Sequence, residues 1–253
     1  MKEGCGIMNR KVSFKALVGS HNYNLQIESS DKDFKAFFLP SFEDLYSGEK
    51  YSKSITSDTE DIEYHDIRKL PYMLWKSNVN FIEVLFSMEI HKYDELYDKL
   101  RNKREEIARM NLPYLYDACM GMFNKKYEEF KRDIVYEDES CVVPMKQQTE
   151  KVYKHAMSAL RILDFLERYK NFNYNFQLAI RYTYEAQRDN LLSVRKGKYS
   201  FNELDEMMQL IEQYTIEKLK DWYKGHKPNE EMKQWVEDIV REHVKENIRN
   251  ELL

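Results

Sequence analysis

Two aspartates separated by one residue, Asp31 and Asp33, are the side chains whose types and spacing point most directly to chemistry. They stand at the start of an apolar run that continues to Leu39. Residues two apart on a β-strand point to the same face of the sheet, so both carboxylates can share one site. Carboxylate oxygens are the ligands that Mg²⁺ prefers in proteins. The pair therefore predicts a divalent-metal site on one face of a strand.

A glycine and a serine, Gly19 and Ser20, stand earlier in the chain and follow directly on another apolar run, residues 12–18. Glycine has no Cβ, so the backbone at Gly19 can approach a phosphate closely. If Ser20 opens a helix, its hydroxyl and the N–H groups after it form an anion site. The stretch therefore predicts a strand, a phosphate-binding turn and a second strand that carries the metal ligands.

The order of Gly-Ser, a short polar gap and Asp-x-Asp between apolar residues resembles the signature of the nucleotidyltransferases of the DNA-polymerase-β-like superfamily. The chain is similar to one branch of that superfamily, the nucleotidyltransferases associated with RNA ligases and RNA repair, over about residues 12–210. Asn24 stands where this branch usually has glycine, which asparagine can partly mimic because it tolerates positive φ. The matching segments are residues 19–25, 30–34, 61–69, 78–85 and 192–200, with Lys154-His-Ala and Arg161 in a helix.

This resemblance implies a reaction and its cofactor. The reaction is transfer of a nucleoside monophosphate from an NTP to a hydroxyl acceptor, with RNA as a candidate acceptor and pyrophosphate as the product released. Asp31 and Asp33 would hold Mg²⁺ or Mn²⁺. The residues expected to bind the phosphates of the nucleotide are Gly19, Ser20, Lys154 and Arg161.

The superfamily also needs an acidic residue on a neighbouring strand, because nucleotidyl transfer uses two metal ions and one of them lies beside the attacking hydroxyl. Asp61 and Glu63 share one face of a candidate strand at residues 61–67. Asp61 is the preferred third carboxylate, as a metal ligand and catalytic residue, and Glu63 is the second choice. Asp66 lies on the other face or at the start of a helix.

A further acidic residue, Glu83, stands inside the apolar run at residues 81–86. A carboxylate in such surroundings is costly unless it is paired or binds a metal. Two interpretations are open. Glu83 is either another ligand of the site or the partner of Lys69 or Arg68 in a buried ion pair.

Short apolar runs predict the strands that position these residues, and they lie at residues 12–18, 32–39, 61–67 and 81–86. From residue 92 onward, apolar side chains recur at near-helical spacing and predict helix after helix, with loops at 137–144 and 168–175. With only 7 Gly and 5 Pro, a many-stranded sandwich or barrel is disfavoured. The predicted fold class is α+β, a small mixed nucleotidyltransferase sheet with flanking helices followed by an all-helical C-terminal region. We expect a catalytic domain at residues 1–92 and a helical domain at 93–253 that closes the cleft.

Composition limits the other possibilities. Lys and Arg total 40 and Asp and Glu total 44, a net charge of −4, which argues against binding nucleic acid by bulk charge alone. Three widely spaced cysteines and the lack of an apolar run of membrane-spanning length predict a cytoplasmic protein with free thiols and no membrane partner. The alternative function is a non-catalytic RNA- or partner-binding module on the same fold, but such a module has no need of several carboxylates near phosphates.

Overall fold

The computed structural model describes residues 10–57, 60–135 and 145–253. Close backbone contacts group these residues into two compact units. The first unit contains the described residues up to Asn111 and adds Pro228–Leu253, and the second spans Leu112–Lys227. These bounds differ from the division expected between residues 92 and 93. The assignment of a catalytic domain to residues 1–92 and of a helical domain to residues 93–253 stays a prediction.

A mixed sheet of five strands, all among the described residues, is the main feature of the first unit. The strands are β1 (Val12–Val18), β2 (Lys32–Phe38), β3 (Ser52–Thr56), β4 (Glu60–Asp66) and β5 (Ile90–His91). They lie in the order β3-β4-β2-β1-β5. β2 and β4 run parallel, and the other neighbours are antiparallel. The parallel pair brings the same ends of two strands to one edge of the sheet.

Aromatic side chains on β1 and β2 form the core around this sheet. Phe14 and Phe37 are fully buried, and their ring centroids lie 4.7 Å apart. The ring of Tyr97 lies 4.8 Å from that of Phe14. Aromatic residues suit a pleated surface that is buried on both sides, which is why these runs form the central strands. The edge strand β3 has only exposed residues.

Short helices accompany the sheet in the first unit. They are α1 (Gly19–Tyr23), α2 (Phe42–Tyr46), α3 (Leu70–Trp75), α4 (Val79–Ile82), α5 (Glu95–Asn102) and α6 (Arg104–Ala108), with 3₁₀ turns at Ile67–Lys69 and Glu83–Phe86. The start of α2 is fixed by a capping box, in which Ser41 and Asp44 each accept a hydrogen bond from the other's backbone N–H. α1 follows β1 without a loop, so the turn at Gly19 is held between a strand and a helix.

The second unit is helical in its described residues. Its helices are α7 (Leu112–Val135), α8 (Met145–Asn171), α9 (Phe176–Ile180), α10 (Glu185–Arg195), α11 (Phe201–Ile211) and α12 (Glu217–Lys224), with a π-helical turn at Glu212–Ile216 between the last two. The loop predicted at 168–175 begins later, because α8 continues to Asn171. The loop predicted at 137–144 lies outside the described residues.

The predicted fold class is confirmed: α+β, a mixed sheet with flanking helices and a helical C-terminal region. No helix in the described ranges is long and apolar enough to cross a membrane.

The last helix, α13 (Glu230–Leu252), belongs to the first unit. Asn229 caps it by accepting a hydrogen bond from the N–H of Met232 at 2.9 Å. The N–H of Asn229 donates to the carbonyl oxygen of Met110 at 2.7 Å, which ties the start of α13 to the end of the α5–α6 region. Helices from beyond residue 92 therefore pack with the sheet, and this is why the compact units do not divide there.

The strand predicted at residues 81–86 is wrong, because this run forms α4 and the 3₁₀ turn after it. Asn78 begins the helix by accepting a hydrogen bond from the N–H of Asn80 at 3.1 Å. A short buried apolar run fits a strand or a helix equally well, and here the capping residue decides. The exposed strand β3 was not predicted, since its sequence lacks an apolar run.

A buried ion pair between Arg10 and Asp44 ties the chain before β1 to α2. The guanidinium donates two hydrogen bonds to the carboxylate, at 2.7 and 2.6 Å, and Asp44 is 3% exposed. The hydrogen bonds from Arg10 lower the pKa of Asp44 to about 2. A carboxyl group whose pKa is lowered by folding stabilises the protein above its unfolded pKa, and this stabilisation is lost as the pH falls through the folded pKa.

We expect Asp44→Asn to lower the free energy of unfolding at pH 7 by about 2 kcal/mol, the size implied by a pKa near 2 in place of 3.8. The difference from the parent should shrink below about pH 4, because Asp44 itself then takes up a proton. Urea unfolding at several pH values measures both effects. Glu43→Gln, an exposed neighbour on α2, is the control and should change little. A difference that stayed constant down to about pH 2 would contradict the assigned role.

Candidate active site

The parallel register of β2 and β4 places Asp33 directly opposite Asp61. The next pair on the same face is Lys35 with Glu63, because alternate residues of a strand share a face. Asp33 is also the partner of Val18, the last residue of β1. The two aspartates are therefore cross-strand neighbours beside the point where β1 turns into α1, as expected for carboxylates from two strands of one site.

A cavity of about 280 Å³ lies over this face of the sheet. Its volume is near the lower end for ligand pockets. Among the described residues that line it, Lys35 is the one cation. The acidic lining residues are Asp33, Asp61, Glu63 and Glu83, and the neutral polar ones include Ser54, Thr56 and Asn80. A small cavity with four carboxylates requires positive charge from its ligand or from ions that accompany it.

Two facts require glycine at residue 19, where β1 ends. Its φ of +72° lies in the left-handed region that L side chains rarely adopt. A Cβ placed on Gly19 would lie 2.7 Å from Oδ2 of Asp33, which is closer than atoms of a real side chain approach. The missing side chain therefore lets the Asp33 carboxylate lie against the backbone of the turn. The conformation and the contact together make Gly19 part of the site.

Glu83 holds the turn at Gly19 in place. It is 1% exposed, and its Oε2 accepts hydrogen bonds from the N–H of Gly19 at 3.1 Å and from the amide of Asn22 at 3.3 Å. Its Oε1 accepts a hydrogen bond from the hydroxyl of Tyr23 at 2.6 Å. Three donors on one short segment compensate for burial of the carboxylate. Glu83 thus fixes α1 relative to the sheet.

The ion pair considered for Glu83 from the sequence is wrong. Arg68 pairs with Asp66 at 2.6 Å, and Lys69 donates a hydrogen bond to Ser52 at 2.7 Å. Asp66 ends β4 on the face opposite Asp61 and caps the 3₁₀ turn that follows, as the alternation of the strand predicted. The basic residues near Glu83 in the sequence are therefore used elsewhere in the fold.

Glu63 is engaged by two side chains on its own face of the sheet. The Nε2 of His65 lies 3.3 Å from its Oε2, and Lys35 donates a hydrogen bond to the same oxygen. These contacts with His65 and Lys35 lower the pKa of Glu63 to about 2. The other ring nitrogen of His65 lies 3.3 Å from Oγ of Ser52. Glu63 is therefore a carboxylate that already has basic partners.

Asp61 differs from Glu63, because its Oδ1 is buried and has no hydrogen-bond partner within the described residues. A buried carboxylate oxygen in this state is costly and calls for an ion or a ligand group. Asp33 and Asp61 supply the oxygen ligands that a divalent cation prefers, and the Asp33 carboxylate lies beside Gly19. Within the described ranges, no group of three His, Cys, Asp or Glu side chains forms a complete metal centre. Mg²⁺ is commonly bound by one or two carboxylates together with the phosphates of a substrate, and the pair of Asp33 and Asp61 fits a site of this kind.

Asp31 and Ser20 are not among the described residues that line the cavity. Asp31 is exposed and precedes β2 by one residue. Ser20 is half-buried in α1, and its carbonyl oxygen accepts a hydrogen bond from the N–H of Leu25 at 2.8 Å. Asn24 ends α1 with a φ of +64°, so the expectation that asparagine takes the place of glycine there is confirmed. The parts of the motif brought together around the cavity are Gly19, Asp33, Asp61 and Glu63.

Lys154 and Arg161 lie on α8 in the second unit. Lys154 is exposed and Arg161 is 8% exposed. Burial raises the pKa of Cys119 on α7 to about 12, and the positive charge of Arg161 opposes that increase, so Arg161 faces the interior of its own unit. Their role in binding the triphosphate stays a prediction.

Several residues of the cavity were not among the site residues expected from the sequence, including Tyr23, Lys35, Ser54, Thr56 and Asn80. A signal for Lys35 was present, since it stands two residues after Asp33 and alternation places it on the same face. Tyr23 and Asn80 lie in the segments 19–25 and 78–85 that match the family, but the sequence assigned no role to either side chain. Both reach the cavity through the packing of α1 and α4 against the sheet.

The mixed sheet, the Gly-Ser turn and the two facing aspartates define a nucleotidyltransferase fold of the DNA-polymerase-β-like class. The model of the RlaP family, described as an RNA repair pathway DNA polymerase beta family, matches residues 5–241, and the chain belongs to this family. A comparison with curated proteins gives no match. Among solved structures, the chain is similar to a nucleotidyltransferase-like protein from Exiguobacterium sibiricum, with a TM-score of 0.32 and 11% identity over 85% of this chain and 73% of that chain.

We expect Gly19→Ala to lower the free energy of unfolding by more than Gly48→Ala. The φ angles are +72° and +71°, so both variants carry the strain of a left-handed alanine, about 1 kcal/mol. Nothing lies within 4 Å of a Cβ at Gly48, whereas at Gly19 the Asp33 carboxylate must shift, which should add about 0.5–1.5 kcal/mol. Urea unfolding of both variants measures the difference. Equal losses would mean that the Asp33 carboxylate is not held beside Gly19.

Proposed function

We propose that this protein transfers a nucleoside monophosphate from an NTP to a hydroxyl acceptor and releases pyrophosphate. The observation that carries the proposal is the cross-strand pair of Asp33 and Asp61 in a cavity beside Gly19, with one oxygen of Asp61 buried and unpartnered among the described residues. Membership of a nucleotidyltransferase family supports the same reaction class.

The residues that would hold Mg²⁺ or Mn²⁺ are Asp33 and Asp61, with Asp31 added from the exposed residue before β2. When bound, the metal ions supply positive charge that offsets the triphosphate and favours loss of the proton from the attacking hydroxyl. The state of Glu63 supports Asp61 as the third carboxylate, because Glu63 is already paired with Lys35 and His65. The proposal therefore assigns the third carboxylate to Asp61.

The remaining groups orient the nucleotide. Gly19 allows the Asp33 carboxylate to lie close to the turn after β1, and its N–H donates to Glu83, so in this proposal it positions Asp33 and does not donate a hydrogen bond to the phosphates. Ser20 would add its hydroxyl to the phosphates. Of the two basic residues expected from the sequence to offset the charge of the triphosphate, Lys154 is exposed and keeps that role in this proposal, whereas Arg161 is buried in its own unit.

RNA is the acceptor we propose to test first. The family description names an RNA repair pathway, and this chain matches the family model over most of its length. A hydroxyl at the end of an RNA strand is the chemical group that the proposed reaction needs. The net charge of −4 means that binding would depend on local contacts more than on total charge.

The experiment supplies each α-labelled NTP in turn, with Mg²⁺ or Mn²⁺, and with RNA as the acceptor. We expect label in the RNA fraction and release of pyrophosphate. Asp33→Asn combined with Asp61→Asn should lower the rate about a thousandfold or more, because both carboxylates that would hold the metal are lost. Bulk protein and a metabolite extract, tested as acceptors in parallel, identify the acceptor class.

The matched control is Glu60→Gln, which removes a carboxylate from the opposite face of β4 and should leave the rate within about twofold of the parent. Equal transfer by the parent and the double variant would overturn the proposal. Absence of both transfer and metal-dependent NTP binding in the parent would favour the alternative, a non-catalytic RNA- or partner-binding module.

A further inference from the structure

We infer that Lys35 on β2 is a phosphate-binding residue that contacts the triphosphate of the nucleotide. This role depends on the nucleotide site proposed above and assigns a function to the one cation among the described lining residues. Lys35 lies two residues after Asp33 on the same face of β2, so its side chain enters the cavity next to the carboxylates that would hold the metal.

The first observation is the state of the Lys35 ammonium group. Lys35 is 7% exposed, and burial of an ammonium group is costly unless acceptors surround it. The group carries three N–H bonds. Within the described residues it donates one hydrogen bond, to Glu63, and its Nζ lies 5.1 Å from the ring centroid of Phe81. Donor capacity therefore remains in a cavity that has space for a ligand rich in acceptor oxygens.

The second observation is the charge of the cavity. Four carboxylates line it, so a triphosphate that enters meets repulsion from most of the charged side chains. Lysine binds phosphate as a point charge and can use the donors that Glu63 does not occupy. A cation held by Glu63 on the same face as Asp33 lowers the repulsion at the place where the phosphates must approach the metal ligands.

The third observation is the set of contacts that holds the Lys35 side chain in position. Glu63 holds the ammonium group and is itself contacted by His65, which in turn contacts Ser52 on β3. Glu63 is half-exposed, with 50% of its side chain accessible, while Lys35 is buried. The anion therefore keeps contact with water and the cation is held inside the cavity. We assign Glu63 and His65 as positioning residues for Lys35.

The chain offers a matched control in Lys15 on β1. Its Nζ lies 3.0 Å from Oε2 of Glu60 on β4 and 4.0 Å from the ring centroid of Phe34. Lys15 thus has the same kind of surroundings as Lys35, namely a glutamate partner and a phenylalanine ring, but on the opposite face of the sheet. It is not among the described residues that line the cavity.

The test is calorimetric titration of inorganic tripolyphosphate, in the presence of Mg²⁺, into the full chain. We expect Lys35→Met to weaken binding about tenfold or more, since a charge-assisted hydrogen bond is lost. Lys35→Arg should bind within about threefold of the parent because it keeps the charge, and Lys15→Met within about twofold. The parent is also labelled with an amine-reactive reagent and analysed at each lysine by mass spectrometry. Tripolyphosphate should slow modification of Lys35 and leave that of Lys15 unchanged.

Each outcome decides the inference separately from the proposed reaction. A folded Lys35→Met protein that binds tripolyphosphate as the parent does would overturn the role of Lys35, whatever the transfer assay gives. If Lys35→Met fails to fold, unprotected labelling of Lys35 in the parent overturns it instead. A parent that binds no tripolyphosphate also overturns it. Loss of binding in Lys35→Met, together with no nucleotide transfer by the parent, would support the phosphate site and reject the reaction.

Discussion

The parallel pairing of β2 with β4 is the constraint on which the site depends. Its register sets Asp33 opposite Asp61 and Lys35 opposite Glu63. A shift of one residue would turn Asp61 and Glu63 to the other face of the sheet, because side chains alternate along a strand. Asp33 would then face a cavity without its partner carboxylate. Asp66 of β4 opposes such a shift, since it is fully buried and paired with Arg68 on its present face of the sheet and would have to leave that face. Burial within β4 itself therefore helps to fix the geometry of the site.

Four carboxylates share one cavity, and their partners give them different roles. Glu83 accepts hydrogen bonds from donors in the segment that follows β1, so its role is to stabilise the turn at Gly19. Glu63 contacts the basic side chains of Lys35 and His65, so its role is to hold Lys35 in position. Asp61 keeps a buried oxygen without a partner among the described residues, so it is the group most in need of a cation. Residue type alone assigns none of these roles, because all four side chains carry the same functional group.

The sequence was most informative where the signal is local or periodic. Strand alternation predicted that Asp61 and Glu63 share a face and that Asp66 does not, and the structure agrees. β1 has the predicted bounds, and Asn24 adopts the left-handed conformation that its place in the motif required. The strand predicted at residues 81–86 failed for a physical reason: an apolar run that is buried all round has no periodicity to separate helix from strand.

The sequence by itself determined the two apolar strands and the motif they carry, because each depends on neighbouring residues or on short periods, and its resemblance to a known family indicated the class of fold. Only the tertiary structure decided which carboxylates meet and what each one contacts. Gly19 and Glu83 are 64 residues apart in the chain, and the side chain that would clash at Gly19 belongs to another strand. The packing of α13 in the unit that contains the sheet likewise depends on contacts between segments that are distant in the chain. Such contacts depend on packing and strand register between distant segments, and no local pattern of residues encodes them.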